Sequence, residues 1–194
     1  MQIERAVLGI RSLGPGTRLG VWVNGCKRRC EGCVSQRLQA FEPRNEVDIE
    51  EYFDEFDLSL TDGVTVSGGE PFEQAEELCR LLDYLRRRGV RDILVYTGYT
   101  LEELRGRGDP ATDGALERID VLIDGPYVRE LDNGHGNLKG SENQRVIFLN
   151  EDVCGAYKQY YRDEREMQEF YFGNTLLSVG IPDEEYIKRF ERKE

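Results

Sequence analysis

Three of the five cysteines in this chain fall within one nine-residue stretch, GCKRRCEGC (25–33). Three residues separate Cys26 from Cys30, and two separate Cys30 from Cys33. Thiolate is a soft ligand that suits iron–sulfur clusters and zinc. A closed tetrahedral zinc site takes four protein ligands, and a disulfide takes two sulfurs. Three thiolates on a [4Fe–4S] cube leave one iron open to a substrate or cofactor. Two other readings stand beside this one. The spacing i, i+4, i+7 also puts three small apolar side chains on one helix face, although Gly25 and Gly32 weaken a helix there. A structural zinc site would need a further ligand. Cys79 lies on the apolar side of a leucine-rich segment, Cys154 is distant in sequence, and the sole histidine, His135, sits in a Gly-rich loop.

A loop of this kind needs elements to hold it, and the flanking pattern supplies them. TRLGVWVNG (17–25) alternates Leu19, Val21 and Val23 and ends on Asn-Gly, which predicts a strand running into a loop. VDIEEYFDEF (47–56) has helical spacing, with Asp48 as N-cap and Glu51 three residues on. DGVTVSGG (62–69) predicts a strand that runs into glycines, and PFEQAEELCRLLDYLRRRG (71–89) a helix with one leucine face. RDILVYTG (91–98), RIDVLIDGP (118–126) and QRVIFLN (144–150) predict three more strands, with a capping box at Thr100 and Glu103. Strands alternating with helices predict an α/β fold with a mainly parallel sheet. The Cys loop and the SGGE loop both follow strand C-termini, where such folds carry their sites, so they are expected to share one cleft. GAYKQYYRDEREMQEFYFGNTLLSVGIP (155–182) reads as an antiparallel hairpin, or a helix and strand, at the sheet edge. The charged tail after it reads as a short helix.

CKRRCEGC has the CxxxCxxC form of the radical S-adenosylmethionine (SAM) superfamily, and SGGEP (67–71) resembles that superfamily's glycine-rich motif. GPGTR (14–18) resembles an element of glycyl-radical-enzyme activases. YTGYT (96–100), DVLIDGPY (120–127), KGSENQRVI (139–147) and VGIP (179–182) are similar to blocks of the anaerobic ribonucleotide reductase activating branch. Where the branch usually has Asn or His with Pro after the third cysteine, this chain has Val34, Ser35 and Gln36. The resemblance implies a radical SAM oxidoreductase with a [4Fe–4S] cluster on Cys26, Cys30 and Cys33. Bound S-adenosyl-L-methionine would be cleaved reductively to leave a glycyl radical on a partner enzyme, most directly anaerobic ribonucleotide reductase. Gly32, Val34, Ser67, Gly68, Gly69, Glu70, Asp124, Gly125 and Ser141 are then the expected cofactor-binding residues, with Gly68 and Gly69 allowing close backbone approach and a loop carbonyl or the Glu70 carboxylate accepting from the SAM ammonium. Reduced flavodoxin or ferredoxin is the expected electron donor. Lys27, Arg28 and Arg29 read either as a solvated loop face or as its docking patch.

Complete eightfold barrels need about 250 residues. With 194 residues, a single radical SAM domain over 1–194 is expected, as a partial, open (β/α) barrel of five or six strands. An open side suits a macromolecular substrate. A net charge of −12 argues against nucleic acid as a partner. Lack of a long apolar run argues against a membrane span, and clustered cysteines without a secretory signal favour the cytoplasm. Two further functions remain open on the sequence: a small-molecule radical SAM enzyme of the 7-carboxy-7-deazaguanine synthase kind, and a non-catalytic iron–sulfur or zinc module.

Overall fold

The computed structural model describes residues 1–162 and 164–191. Its centre is a six-stranded sheet built from β1 (Ile3–Ile10), β2 (Arg18–Val23), β3 (Gly63–Gly68), β4 (Ile93–Tyr96), β5 (Val121–Asp124) and β6 (Arg145–Phe148), lying side by side in chain order. β2 to β5 are parallel, while β1 and β6 run antiparallel at the two edges. The expectation of a mixed α/β fold with a mostly parallel sheet is met.

Between the parallel strands run α1 (Ile49–Phe53), α2 (Ala75–Arg87), α3 (Leu101–Arg105) and α4 (Pro110–Leu116). Asp48 caps α1 by accepting from the Glu51 N–H, and Thr100 and Glu103 form the expected capping box of α3. All four helices cover one face of the sheet. Leu78, Leu81, Leu82 and Leu85 of α2 are fully buried against Val64, Val66, Ile93 and Val95, each contributing roughly 1.5–3 kcal/mol. Strictly sequential strand order keeps the crossovers on that face and leaves the other face for the rest of the chain.

The opposite face is covered from the C-terminal third. α5 (Cys154–Tyr160) places Tyr157 over Leu94, Val121 and Ile123. A separate hairpin of β7 (Met167–Phe172) and β8 (Thr175–Gly180) packs Leu177 and Val179 on Val7, Ile10 and Leu13. The antiparallel hairpin the sequence suggested packs on the face of the edge strand β1 and does not extend the sheet's ladder. The terminal segment is helical, α6 (Glu184–Glu191), as expected. Among the described residues, no helix is long and apolar enough to cross a membrane.

Two elements escaped the sequence reading. β1 carries register shifts between Ile3 and Arg5 and between Leu8 and Ile10. Each shift is a bulge that turns the following side chains over, so the alternation of a simple strand is lost. In α4, PATDGAL offers little apolar face, and what fixes its start is Asp109 accepting from Ala111 and Thr112.

Candidate functional site

The loop after β2 and the loop after β3 are joined by backbone. The Gly69 N–H donates to the Val23 carbonyl at 2.7 Å, and the Glu70 N–H donates to the Gly25 carbonyl at 2.8 Å. From its other side, the Cys loop is held by the Gly25 and Cys26 N–H groups, which donate to the Leu38 and Gln39 carbonyls at 2.8 and 3.0 Å. Arg29 takes a left-handed conformation, φ 50°, and folds the CKRRC turn back on itself. Burial pushes the Cys26 thiol up, while the N–H groups of Arg28 and Arg29 bond its sulfur and favour the thiolate.

Cys26, Cys30 and Cys33 line one cleft of about 330 Å³ together with Ser67, Gly68, Gly69 and Glu70. Val34 and Gly125 also reach it, and β8 with the residues after it, from Leu177 to Pro182, supplies the facing wall. The two loops do share a cleft. Gly32 does not line it; it lies beside Tyr127 and Arg129. Asp124 does not line it either. Its buried carboxylate accepts from the Leu101 N–H at 2.7 Å, which fixes the start of α3, and pairs with Arg145. Ser141 is buried beneath the β5–β6 loop, where its hydroxyl accepts from the Val128 N–H at 3.2 Å.

The two glycines have a steric reason that needs no ligand. Gly68 has φ +112°, and a Cβ there would stand 2.3 Å from the Val23 nitrogen. At Gly69 a Cβ would meet the Gly25 carbonyl oxygen at 2.4 Å. Close approach of the Cys loop to β3 therefore excludes any side chain at either position. Glu70 likewise has a role within the fold. It is buried, and both of its oxygens already have partners: Phe72 N–H and Thr97 hydroxyl on one, Gly98 N–H on the other. Burial pushes its carboxyl up to about 7, against those bonds and the Arg107 guanidinium, which favour the charge. Glu70 ties the β3 loop to the β4 loop.

The three basic residues of the Cys loop divide. Lys27 pairs with Glu73 at 2.5 Å. Arg28 folds into the cleft, stacking on Tyr99 at 4.6 Å, with Arg107 on that ring at 4.1 Å. Arg29 remains exposed. Sequence reasoning missed Arg5, Trp22, Tyr96 and Thr97, all of which line the cleft. For Trp22 a signal existed: it alternates with Val21 and Val23, which face the helices, so it had to face the other way.

A [4Fe–4S] cluster fits these residues. Three cysteines open on one cleft, while Cys79 packs near Gly114 and Cys154 begins α5. His135 borders a different cavity, near Tyr161. Among the described residues, no three His, Cys, Asp or Glu side chains converge on a single ion. A closed structural zinc site would need a fourth protein ligand, and Cys79, Cys154 and His135 all lie elsewhere.

Comparison with known proteins agrees. A family model described as a 4Fe-4S single cluster domain matches residues 12–147. The chain is 33% identical over 143 residues to the anaerobic ribonucleoside-triphosphate reductase-activating protein of Vibrio cholerae, covering 69% of this chain and 88% of that protein. Identity to the Escherichia coli K12 protein of the same name is 32% over 146 residues, with 70% and 91% covered. For the Enterobacteria phage T4 protein it is 30% over 142 residues, with 69% and 85% covered. With its cysteine loop and glycine loop on one cleft, the chain belongs to the family of anaerobic ribonucleoside-triphosphate reductase-activating proteins, the radical SAM activase branch with a single 4Fe-4S cluster.

Proposed function

We propose that this chain is a radical SAM activase that generates a glycyl radical on an anaerobic ribonucleoside-triphosphate reductase. The observation that carries this reading is the cleft, where three cysteines and the SGGE loop meet in a chain of that family. Cys26, Cys30 and Cys33 would hold the cluster, and the loop from Ser67 to Glu70, with Val34 and Gly125, would border S-adenosyl-L-methionine. When bound, the cluster and SAM supply a 5′-deoxyadenosyl radical by one-electron reductive cleavage.

The chain's own residues hold the two loops together, set the depth of the cleft and keep water out. Backbone bonds from Gly69 and Glu70 fix the distance between the cysteine loop and the glycine loop. Glu70 fixes the β4 loop through Thr97 and Gly98. The segment from Leu177 to Pro182 closes the cleft laterally with apolar side chains and backbone.

Sequential strands with helices on one face support a partial, open (β/α) barrel of the radical SAM type, folded as one domain over 1–194. Reduced flavodoxin or ferredoxin is the proposed donor. The cytoplasm is the proposed compartment, and the five unpaired cysteines support it. Neither nucleic acid nor membrane enters the proposal.

The test is anaerobic: reconstituted protein, SAM, reductant and the cognate reductase are mixed and examined by EPR. A glycyl doublet on the reductase is the expected result. An intact cluster that cleaves SAM without producing the doublet overturns the activase role.

A further inference from the structure

The cysteine loop carries three cations in a row, and the fold treats each differently. Lys27 meets the Glu73 carboxylate at 2.5 Å, which offsets its charge. Arg29 is exposed, so water and salt screen it. Arg28 is neither closely paired nor solvated. Its side chain is only 22% exposed and lines the cleft with Cys26, Cys30 and Cys33. Its one ion pair among the described residues, with Glu103, is long at 3.7 Å. The same Glu103 oxygen already accepts from the Thr100 N–H at 2.6 Å.

Several contacts fix where the Arg28 charge lies. Arg28 is the middle residue of the CxxxC turn, and its N–H and that of Arg29 bond the Cys26 sulfur. Its Cδ passes over Gly98, where a Cβ would stand 2.7 Å away. A side chain at Gly98 would therefore push the arginine off its course. The guanidinium ends 4.6 Å from the centre of the Tyr99 ring, a favourable cation–π contact. Tyr99 is itself anchored. Its hydroxyl donates at 2.6 Å to Glu73, the carboxylate that pairs with Lys27, and Arg107 stacks on the ring at 4.1 Å.

A fixed, poorly solvated cation in this place bears on the redox chemistry of the cleft. Reduction of the cluster takes one electron from the donor and adds one negative charge. A positive charge held in surroundings of low dielectric favours the reduced form, whereas an exposed or paired cation does so weakly. A guanidinium keeps its charge at every working pH.

We propose that Arg28, held on the Tyr99 ring, raises the reduction potential of the cluster and so eases its one-electron reduction. This deepens the activase reading and rests on its cluster.

The test is an EPR-monitored redox titration of the reconstituted full-length protein, without SAM and without reductase. At the wild-type midpoint, the ratio of reduced to oxidised cluster in Arg28→Met should fall about tenfold, a shift of about 59 mV for one electron. Arg28→Lys keeps the charge and should recover most of that loss. Arg29→Met should change the ratio less than about twofold, because its cation is screened. Iron and sulfide per chain, measured for each variant, separate these shifts from loss of cluster. Should Arg28→Met hold no cluster, Tyr99→Leu gives the same reading with the cysteine loop unaltered: a lowered ratio supports the proposal and an unchanged one overturns it. Equal midpoints for wild type and Arg28→Met overturn it. So does an Arg28→Lys midpoint as low as that of Arg28→Met, which would make packing the cause. An unchanged midpoint with weakened SAM binding also overturns it and assigns the guanidinium to the methionine carboxylate. If the wild type assembles no [4Fe–4S] cluster, the activase reading fails and takes the proposal with it. If it assembles one but forms no glycyl radical, the activase role alone fails, and the titration still decides for Arg28.

Discussion

Glu70 shows how one buried carboxylate sets a pH dependence. Its folded-state value near 7 lies above an ordinary value of 4.5. The folded chain thus holds the proton more tightly than the unfolded chain. The stability from this group is full below pH 4.5 and is lost as pH rises through 7, by roughly 3 kcal/mol in all. Urea unfolding of the apo protein between pH 5 and 8 should show this decline. Glu70→Gln should be less stable at pH 5 by about 1–3 kcal/mol, since an amide cannot accept all three bonds, and its pH profile should be flatter. A wild-type profile as flat as the variant's would remove Glu70 as the titrating group. The neighbouring glycine gives a second prediction. Gly69→Ala forces a Cβ against the Gly25 and Leu38 carbonyl oxygens, so the cysteine loop must move. Iron per chain after reconstitution should drop severalfold; full loading would mean that the loop has room after all. The cysteines and SGGE were legible because their chemistry is local in sequence. The partners that decide what Glu70 and Arg28 do were not legible: Thr97, Gly98 and Tyr99 lie tens of residues away, and only the fold brings them near.

Among the elements, the parallel strands were legible because β3, β4 and β5 are short apolar runs ending in loop residues, and α2 because its leucines recur at helical spacing. β1 was not, since two bulges scramble its alternation. The C-terminal hairpin was only half legible, and it matters most to the cleft. Its tip is exposed, with Tyr171 at 73%, while Leu177 and Val179 are buried on Val7, Ile10 and Leu13. Because the hairpin does not join the main sheet's ladder, this small apolar cluster carries much of its attachment. Ser12 donating to the Val179 carbonyl and Gln168 bonding to Gly9 and Arg11 add to it. Leu177→Ala should cost about 2–3 kcal/mol, concentrated on the hairpin. Limited proteolysis of the apo variant should then cut within β7 or at residues 164–166 before it well ahead of any opening of the helical core. Cleavage no faster than in wild type would show that the cluster does not govern the hairpin.

At the scale of the whole molecule, the two ends of the parallel strands do different work. The C-terminal ends carry the cleft, and with it the exposed Arg29. On a chain of net charge −12, a cation at the cysteine loop is a local attraction for an acidic electron donor. Arg29→Glu should slow reduction by flavodoxin and leave reduction by dithionite unchanged; equal slowing would refute a docking role. The N-terminal ends carry GPGTR, and its arginine is structural. Arg18 is fully buried and pairs with Asp92 through two bonds of 2.9 and 3.1 Å. It also donates to the Thr65 hydroxyl at 2.7 Å and to the Pro15 and Val64 carbonyls. Tyr157 of α5 completes the group, donating to Asp92 at 2.8 Å. This network clamps the starts of β2, β3 and β4 together and anchors the helix that covers the inner face. Arg18→Met would leave the partly buried Asp92 without its cation, a loss of about 2–4 kcal/mol. SAM affinity, measured where the variant is still fully folded, should stay within twofold of wild type, because the clamp lies at the opposite end of the strands from the cysteines. A variant of unchanged stability, or one that loses SAM affinity while folded, would mean that the two ends are not divided in this way.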